Sequence, residues 1–196
     1  MSITATDVKK LRDAVGAPMM DCKKALAEAE GNMEKAVEWL RKKGIAKADK
    51  RSGRDATEGR VWSYIHHNGR VGVLLEVNCE TDFVANTDQF MDFCKEVSLH
   101  IASMNPQYLA REEVPAEALE KEKAILMEQI DQNKPAEIRE KIVEGRINKF
   151  YGDICLLEQP WVKDDKKTID TYRAETAGGL GENIVISRFA RYGIGS

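Results

Sequence analysis

The sequence predicts an α+β protein: an N-terminal unit of three short helices, then a core made of a small three-stranded antiparallel sheet packed with helices. Three observations predict it. Apolar residues recur at helical spacing through residues 6–43. The period then changes to two across Val61–Val77, with Asn68-Gly69 in the middle. Helical stripes return after Asn86, and a last strand-like run, Asn183–Tyr192, follows a glycine cluster.

In the first unit, Thr6 is placed to cap a helix whose apolar stripe is Val8, Leu11, Ala14 and Val15, and Gly16 ends it. Pro18 suits the first turn of a second helix. There Cys22, Ala25, Leu26 and Ala29 fall at i, i+3, i+4 and i+7. Gly31-Asn32 breaks and recaps the chain, and Met33, Ala36, Val37 and Leu40 repeat the spacing before Gly44 closes the unit. Three helices in about 45 residues bury barely enough core to stand alone, so such a unit is normally a recognition module attached to something larger. Residues 46–59 are charged, with few apolar anchors. The expected organisation is therefore a helical domain over residues 1–45, a charged linker over 46–59, and a core α+β domain over 60–196.

The stretch Val61–His67, Asn68-Gly69, Arg70–Val77 reads as a hairpin closed by a two-residue type I′ turn. That turn sets His67 opposite Arg70, Tyr64 opposite Val73 and Trp62 opposite Leu75. One face then carries Trp62, Tyr64, His66, Val71, Val73, Leu75 and Val77. The other carries Val61, Ile65 and Leu74, diluted by Ser63, Gly72 and Glu76. Apolar residues on both faces argue that one packs on the helices and the second on another subunit.

Asn86 with Gln89 reads as a capping box opening a helix with the stripe Phe90, Phe93, Cys94, Val97, Ile101 and Met104, ended by Asn105-Pro106. Pro115 opens a helix to about Gln132, and Pro135 another to about Asn148. Phe150–Leu157 is ambiguous. Glu158–Lys167 reads as a polar loop holding Trp161. A weak helix over 168–177 leads to a turn at Gly178-Gly-Leu-Gly181, and the final strand joins the hairpin as its third member.

The chain has 30 Lys and Arg against 33 Asp and Glu, a net charge of −3, which lacks the basic excess of a protein that wraps nucleic acid. No apolar run approaches the roughly 18 residues of a membrane span. The N-terminus lacks the basic start and apolar middle of a signal peptide, which points to the cytoplasm and reduced thiols. Cys22, Cys79, Cys94 and Cys155 make no CxxC pair. His66 and His67, adjacent in the expected strand, point to opposite faces and so share no metal. No nucleophile elbow, phosphate loop or H-E-x-x-H motif occurs. Gly178–Gly181 precedes a strand and so lacks the helix N-terminus of a phosphate cradle. Asp164-Asp165 sits in a lysine-rich loop, where solvated charge is the simpler reading. Bond-making chemistry, a metal and a cofactor are all unexpected.

Two sets of residues invite a binding role. Met20 falls nearly opposite the apolar stripe of its helix while Met19 continues it, and an exposed methionine suits an adaptable protein-binding surface. A frayed helix start that leaves both methionines in a loop or in the core fits equally. At the exit of the hairpin comes Asn78-Cys-Glu-Thr-Asp-Phe-Val84, where an acid and a large ring stand side by side before a helix. That pair can push into another protein's metal or phosphate site. It also fits a plain helix start, with Asp82 as cap and Phe83 as core anchor. On the helical unit alone, an adaptor for a ubiquitin-like protein remains open.

Several separated segments resemble one family. Gly16–Leu26 and Gly31–Leu40 look like the ubiquitin-associated-type three-helix domain that opens elongation factor Ts. Lys47–Arg51, Glu76–Ala85, His100-Ile-Ala with Asn105-Pro106, Lys141–Arg146, Glu158–Val162, Gly181–Ile184 and Arg188-Phe189 are similar to later segments of the same family, in the same order. Pro18 and Trp161 depart from it, standing where a small residue and Phe are usual. The length matches the short form with one core unit, understood to act as a homodimer. The resemblance implies a guanine-nucleotide exchange factor for the translation GTPase elongation factor Tu. It implies that Thr81, Asp82, Phe83 and Val84 insert beside the partner's magnesium and phosphate site. Met19 and Met20 match an N-terminal contact, and Val162 with its neighbour Trp161 a C-terminal contact to another domain of the partner. The implied assembly is a two-to-two complex formed without nucleic acid or membrane.

Overall fold

A computed structural model describes residues 3–15, 17–131 and 135–195. It is an α+β chain with a three-stranded antiparallel sheet, helices before its first strand and further helices between its second and third strands. The chain divides into two compact units, residues 1–99 with 171–196, and residues 100–170.

The first unit begins with α1 (Ala5–Val15), α2 (Met19–Glu28) and α3 (Met33–Asp49). Val8, Leu11, Cys22, Ala25, Leu26, Ala36 and Leu40 form their common core, the residues the helical spacing selects. The cap of α1 is Thr4, not Thr6. The Thr4 hydroxyl accepts from the Asp7 N–H, and the Asp7 carboxylate accepts from Thr4 N–H and Oγ1. Such a reciprocal box outcompetes a lone threonine two residues later. The stop expected at Gly16 lies outside the described residues. Pro18 is the residue just before α2, and the Asn32 side chain caps α3 by accepting from Lys35 N–H at 3.0 Å. Gly44 does not close α3, which continues to Asp49, so residues 46–49 are helical.

Strands β1 (Glu58–Ile65) and β2 (Val71–Cys79) pair in the expected register, Tyr64 with Val73 and Trp62 with Leu75. The turn differs. His66 C=O accepts from Gly69 N–H, and only Gly69 of the loop has a positive φ, 66°. A type I′ turn needs positive φ at Asn68 as well, so residues 67–70 form a longer loop instead. Because β1 ends at Ile65, His66 and His67 leave the pleat and their rings meet at 4.2 Å rather than facing apart. Val73, Leu75 and Val77 are buried, whereas Val61, Ile65 and Leu74 are exposed.

Helix α4 (Asp82–Ala85) is a single turn, and α5 (Asp88–Met104) follows. Asn86 does not cap α5; it ends α4, and Thr87 Oγ1 accepts from Phe90 N–H. Phe90, Phe93, Cys94, Val97 and Ile101 are fully buried, while the last residue of the stripe, Met104, is exposed.

In the second unit, α6 (Ala116–Glu128) and α7 (Ala136–Ile154) start after Pro115 and Pro135 as expected, and pack through Leu126, Ile130, Val143 and Ile147. The Gln132 boundary lies outside the described residues. Helix α7 does not stop at Asn148, because Phe150–Ile154 complete it. The expected polar loop is a small hairpin, β3 (Pro160–Trp161) and β4 (Asp164–Thr168).

Helix α8 (Ile169–Leu180) returns the chain to the first unit, and β5 (Val185–Gly193) pairs antiparallel with β2, giving the order β1-β2-β5. Gly178 and Gly179 are helical, not a turn. A Cβ on Gly178 would lie 2.6 Å from the Gly44 Cα, so glycine serves the close crossing of α8 and α3. An Arg41–Glu175 ion pair joins the same two helices.

Candidate functional site

The Thr81–Val84 run sits where β2 leaves the sheet. Thr81 has extended backbone angles and is the cap of α4, its Oγ1 accepting from Val84 N–H at 3.4 Å. The hydroxyl therefore fills the role assigned to Asp82, whose carboxylate is left exposed. Phe83 is 82% exposed and is no core anchor. Ala85, two residues on, is the residue that α4 buries. One turn of helix thus turns its small residue inward and presents an acid and a phenyl ring outward. Leaving a phenylalanine in water forgoes roughly 1.5–3 kcal/mol of burial, so the ring adds little to the stability of the fold.

A polar frame holds this turn. The Glu182 carboxylate accepts from Glu80 N–H at 3.1 Å and Thr81 N–H at 3.0 Å through Oε2, and from the Thr81 hydroxyl at 2.6 Å through Oε1. Glu80 reciprocates: its Oε1 accepts from Asn183 N–H at 2.7 Å and its Oε2 from Arg54 at 3.3 Å. The Asn183 N–H bond, opposed by burial and helped by the Arg54 bond and charge, holds the Glu80 carboxyl below the usual range. At the other end, Arg60 donates from Nε to the Ala85 carbonyl at 2.7 Å and also reaches the Asn86 side chain. Beneath the turn, burial and then the nearby Glu182 carboxylate push the Cys79 thiol up to about 11. It is an unreactive core group. None of Glu80, Glu182, Arg54 or Arg60 stands out by spacing. Glu182 lies 101 positions from Thr81. The only signal in the sequence is that Glu80 and Glu182 both fall in segments that carry the family resemblance.

Met19 and Met20 open α2 and are 51% and 73% exposed. Both therefore lie outside the core of the helical unit, Met20 as its angle predicts and Met19 more than its stripe position suggests. They share the first unit with Thr81–Val84 but sit on a separate element.

Trp161 and Val162 belong to the second unit. Val162 is exposed, and Trp161 packs within its own hairpin, with the Lys167 ammonium 5.0 Å over its ring. His100 fixes the turn from below. Its Nδ1 accepts from Val162 N–H at 3.3 Å, and its Nε2 faces Gln159 Oε1 at 2.9 Å. Gln159 then donates to the Asp153 carbonyl at 2.7 Å. Burial lowers the His100 pKa, outweighing the opposing Gln159 bond. The ring is therefore neutral, with its proton on Nε2. His100 and Gln159 were legible only as parts of resembling segments.

Among the described residues, no group of three His, Cys, Asp or Glu side chains is placed to hold a metal. No helix among them is long and apolar enough to cross a membrane.

The family model described as "Elongation factor TS" matches residues 8–196. Curated relatives match along their whole length or nearly so, each named "Elongation factor Ts". One from Geotalea uraniireducens is 58% identical over all of this chain and 91% of its own length. One from Geobacter sulfurreducens is 56% identical with the same coverage. One from Fervidobacterium nodosum is 55% identical over the full length of both chains. With a family match from residue 8 to the end and full-length identities above one half, the chain belongs to the elongation factor Ts family.

Proposed function

We propose that the protein is a guanine-nucleotide exchange factor for elongation factor Tu, acting in the cytoplasm during translation elongation. The observation that carries the reading is Phe83, 82% exposed beside an exposed Asp82 on a one-turn helix at the end of the central strand β2. In this reading Thr81–Val84 enter the GTPase beside its Mg²⁺ and phosphate site. Phe83 displaces apolar side chains, and Asp82 competes for groups that position the metal. Weakening the metal removes charge that offsets the GDP phosphates, and GDP leaves. Met19 and Met20 hold the nucleotide-binding domain, and the Trp161-Val162 turn holds another domain of the partner.

No bond is made or broken by the factor. It works by differential binding: it favours the nucleotide-free GTPase, so factor and nucleotide weaken each other's affinity by the same factor. GTP binding then expels the factor. Residues 1–45 serve as the recognition module, 46–59 as its connection, and 60–196 as the core that carries the sheet. The exposed sheet face with Val61, Ile65 and Leu74 pairs with a second copy, giving a two-to-two complex.

The test is release of a fluorescent GDP analogue from elongation factor Tu at fixed Mg²⁺. Strong acceleration, lost when Asp82→Ala and Phe83→Ala are combined, supports the function and the site together. No acceleration by the folded protein rejects the reading.

A further inference from the structure

We propose that Glu182 is the positioning residue of the exchange loop: its carboxylate sets the angle at which α4 presents Phe83. The inference rests on the exchange reading and adds to it a residue that does not touch the partner.

Three donors converge on one carboxylate, Glu80 N–H, Thr81 N–H and the Thr81 hydroxyl, at 3.1, 3.0 and 2.6 Å. Because the hydroxyl proton is committed to Glu182, a Thr81 Oγ1 lone pair is left to accept Val84 N–H and close α4. Hydrogen bonds to an ionised acceptor are roughly twice as strong as neutral ones. Helix α4 needs them, since a single turn is far below the length at which a helix holds itself. Packing does not hold the ring either, because Phe83 is largely in water. Its direction is therefore inherited from the backbone of α4. That backbone is pinned at its start by Glu182 and at its end by Arg60, which donates to the Ala85 carbonyl.

Glu182 is itself anchored. Its neighbour Asn183 is buried, donates from its backbone N–H to Glu80, and donates from Nδ2 to the Arg54 carbonyl at 2.8 Å. Glu80 and Glu182 thus each accept from the other's segment, and the two segments lock together. A loop held before the partner arrives loses less entropy on binding. Glu182 contributes that preorganisation.

The experiment reads three things on the full chain: GDP-analogue release from elongation factor Tu at saturating factor, the concentration giving half the maximal rate, and amide hydrogen exchange of the free factor. Glu182→Ala is expected to lower the maximal rate about tenfold, the effect of a mis-set contact group, with exchange at Glu80, Thr81 and Val84 amides accelerated. Glu182→Gln is expected to retain most activity, since its amide oxygen still accepts both backbone donors. Glu182→Ala is expected to add less than about twofold in a Phe83→Ala background, because there is no ring left to position. A folded Glu182→Ala protein with the parent's rate, unchanged amide protection, or a loss that multiplies with that of Phe83→Ala overturns the positioning role. Failure of the parent to release GDP rejects the exchange reading instead, and is told apart because no variant is needed to see it.

Discussion

Gly178 and Gly44 cross so closely that a Cβ on Gly178 would stand 2.6 Å from the Gly44 Cα and 2.7 Å from its carbonyl oxygen. Neither obstacle is a side chain that can rotate away. Gly178→Ala must therefore push α8 from α3, at a cost of roughly 1–3 kcal/mol or more, as overpacking against a fixed neighbour does. The gain in helix propensity from glycine to alanine, up to about 1 kcal/mol, does not offset it. A lowered urea midpoint with an unchanged slope is the expected result. Gly179→Ala is the internal comparison, because its Cβ would meet the flexible end of Gln89 at 2.8 Å and that side chain can yield.

Phe83→Ala separates a binding ring from a structural one. With the ring 82% exposed, stability is expected to stay within about 0.5 kcal/mol of the parent. An aromatic anchor at the centre of an interface is worth about 2 kcal/mol or more, roughly thirtyfold in affinity. Thermal unfolding and GDP-analogue release, measured on the same preparation, should therefore diverge. A large fall in melting temperature would show that the ring supports the fold.

The sheet register was legible because centring the hairpin on Asn68-Gly69 sets Tyr64 opposite Val73 and Trp62 opposite Leu75, whereas which face is buried was not, since both carry apolar residues. The loop joining the strands was not, since Asn-Gly permits a tight turn without requiring one, and the same register survives the longer loop. Exposure of Met20 followed from its angle on α2. The caps failed by a residue or two, Thr4 for Thr6 and Thr87 for Asn86, because several candidates stood near each helix start and only backbone direction chooses among them. Gly178 read as a turn because glycine signals either a bend or a close approach, and its partner Gly44 is distant in sequence. Glu182 was illegible for the same reason. A carboxylate that grips backbone leaves no pattern of side chains to read.

His100 gives the stability a pH dependence of definite sign. Burial lowers its pKa from the ordinary 6.5 in the folded chain. Below that ordinary value the unfolded chain takes up a proton that the folded ring resists. His100 therefore contributes its full stability above about pH 6.5, and the contribution falls as pH drops from there toward the lower folded pKa. Protonation of Nδ1 would also remove the acceptor of Val162 N–H. The urea midpoint at about pH 5.5 should lie below that at about pH 7.5, and His100→Gln should flatten the difference. An equal pH dependence in that variant would assign it to other groups. Glu80, whose pKa is lowered from 4.5, keeps its full contribution across that range and loses it only as pH falls below about 4.5 toward the lower folded pKa.

The outer face of the sheet carries the argument for self-association. Gly72 pairs with Ile65 on one side and Tyr192 on the other, so two exposed apolar side chains flank a position with none. Leu74 continues the groove beside them, and Ile194 lies at its end. Exposed apolar residues gathered on one face mark an interaction surface more often than singly scattered ones do. In the proposed dimer a two-fold axis through the sheet sets this face against its own copy. Leu74→Glu places a carboxylate there without a partner. Burying an unpaired charge costs several kcal/mol, enough to separate a dimer at micromolar concentration. The fold should tolerate it, since Leu74 is 49% exposed. Sedimentation velocity should show a dimer for the parent and a monomer with unchanged circular dichroism for the variant. A variant that still sediments as a dimer would move the interface off this face, and a parent that is monomeric at every concentration would reject the dimer.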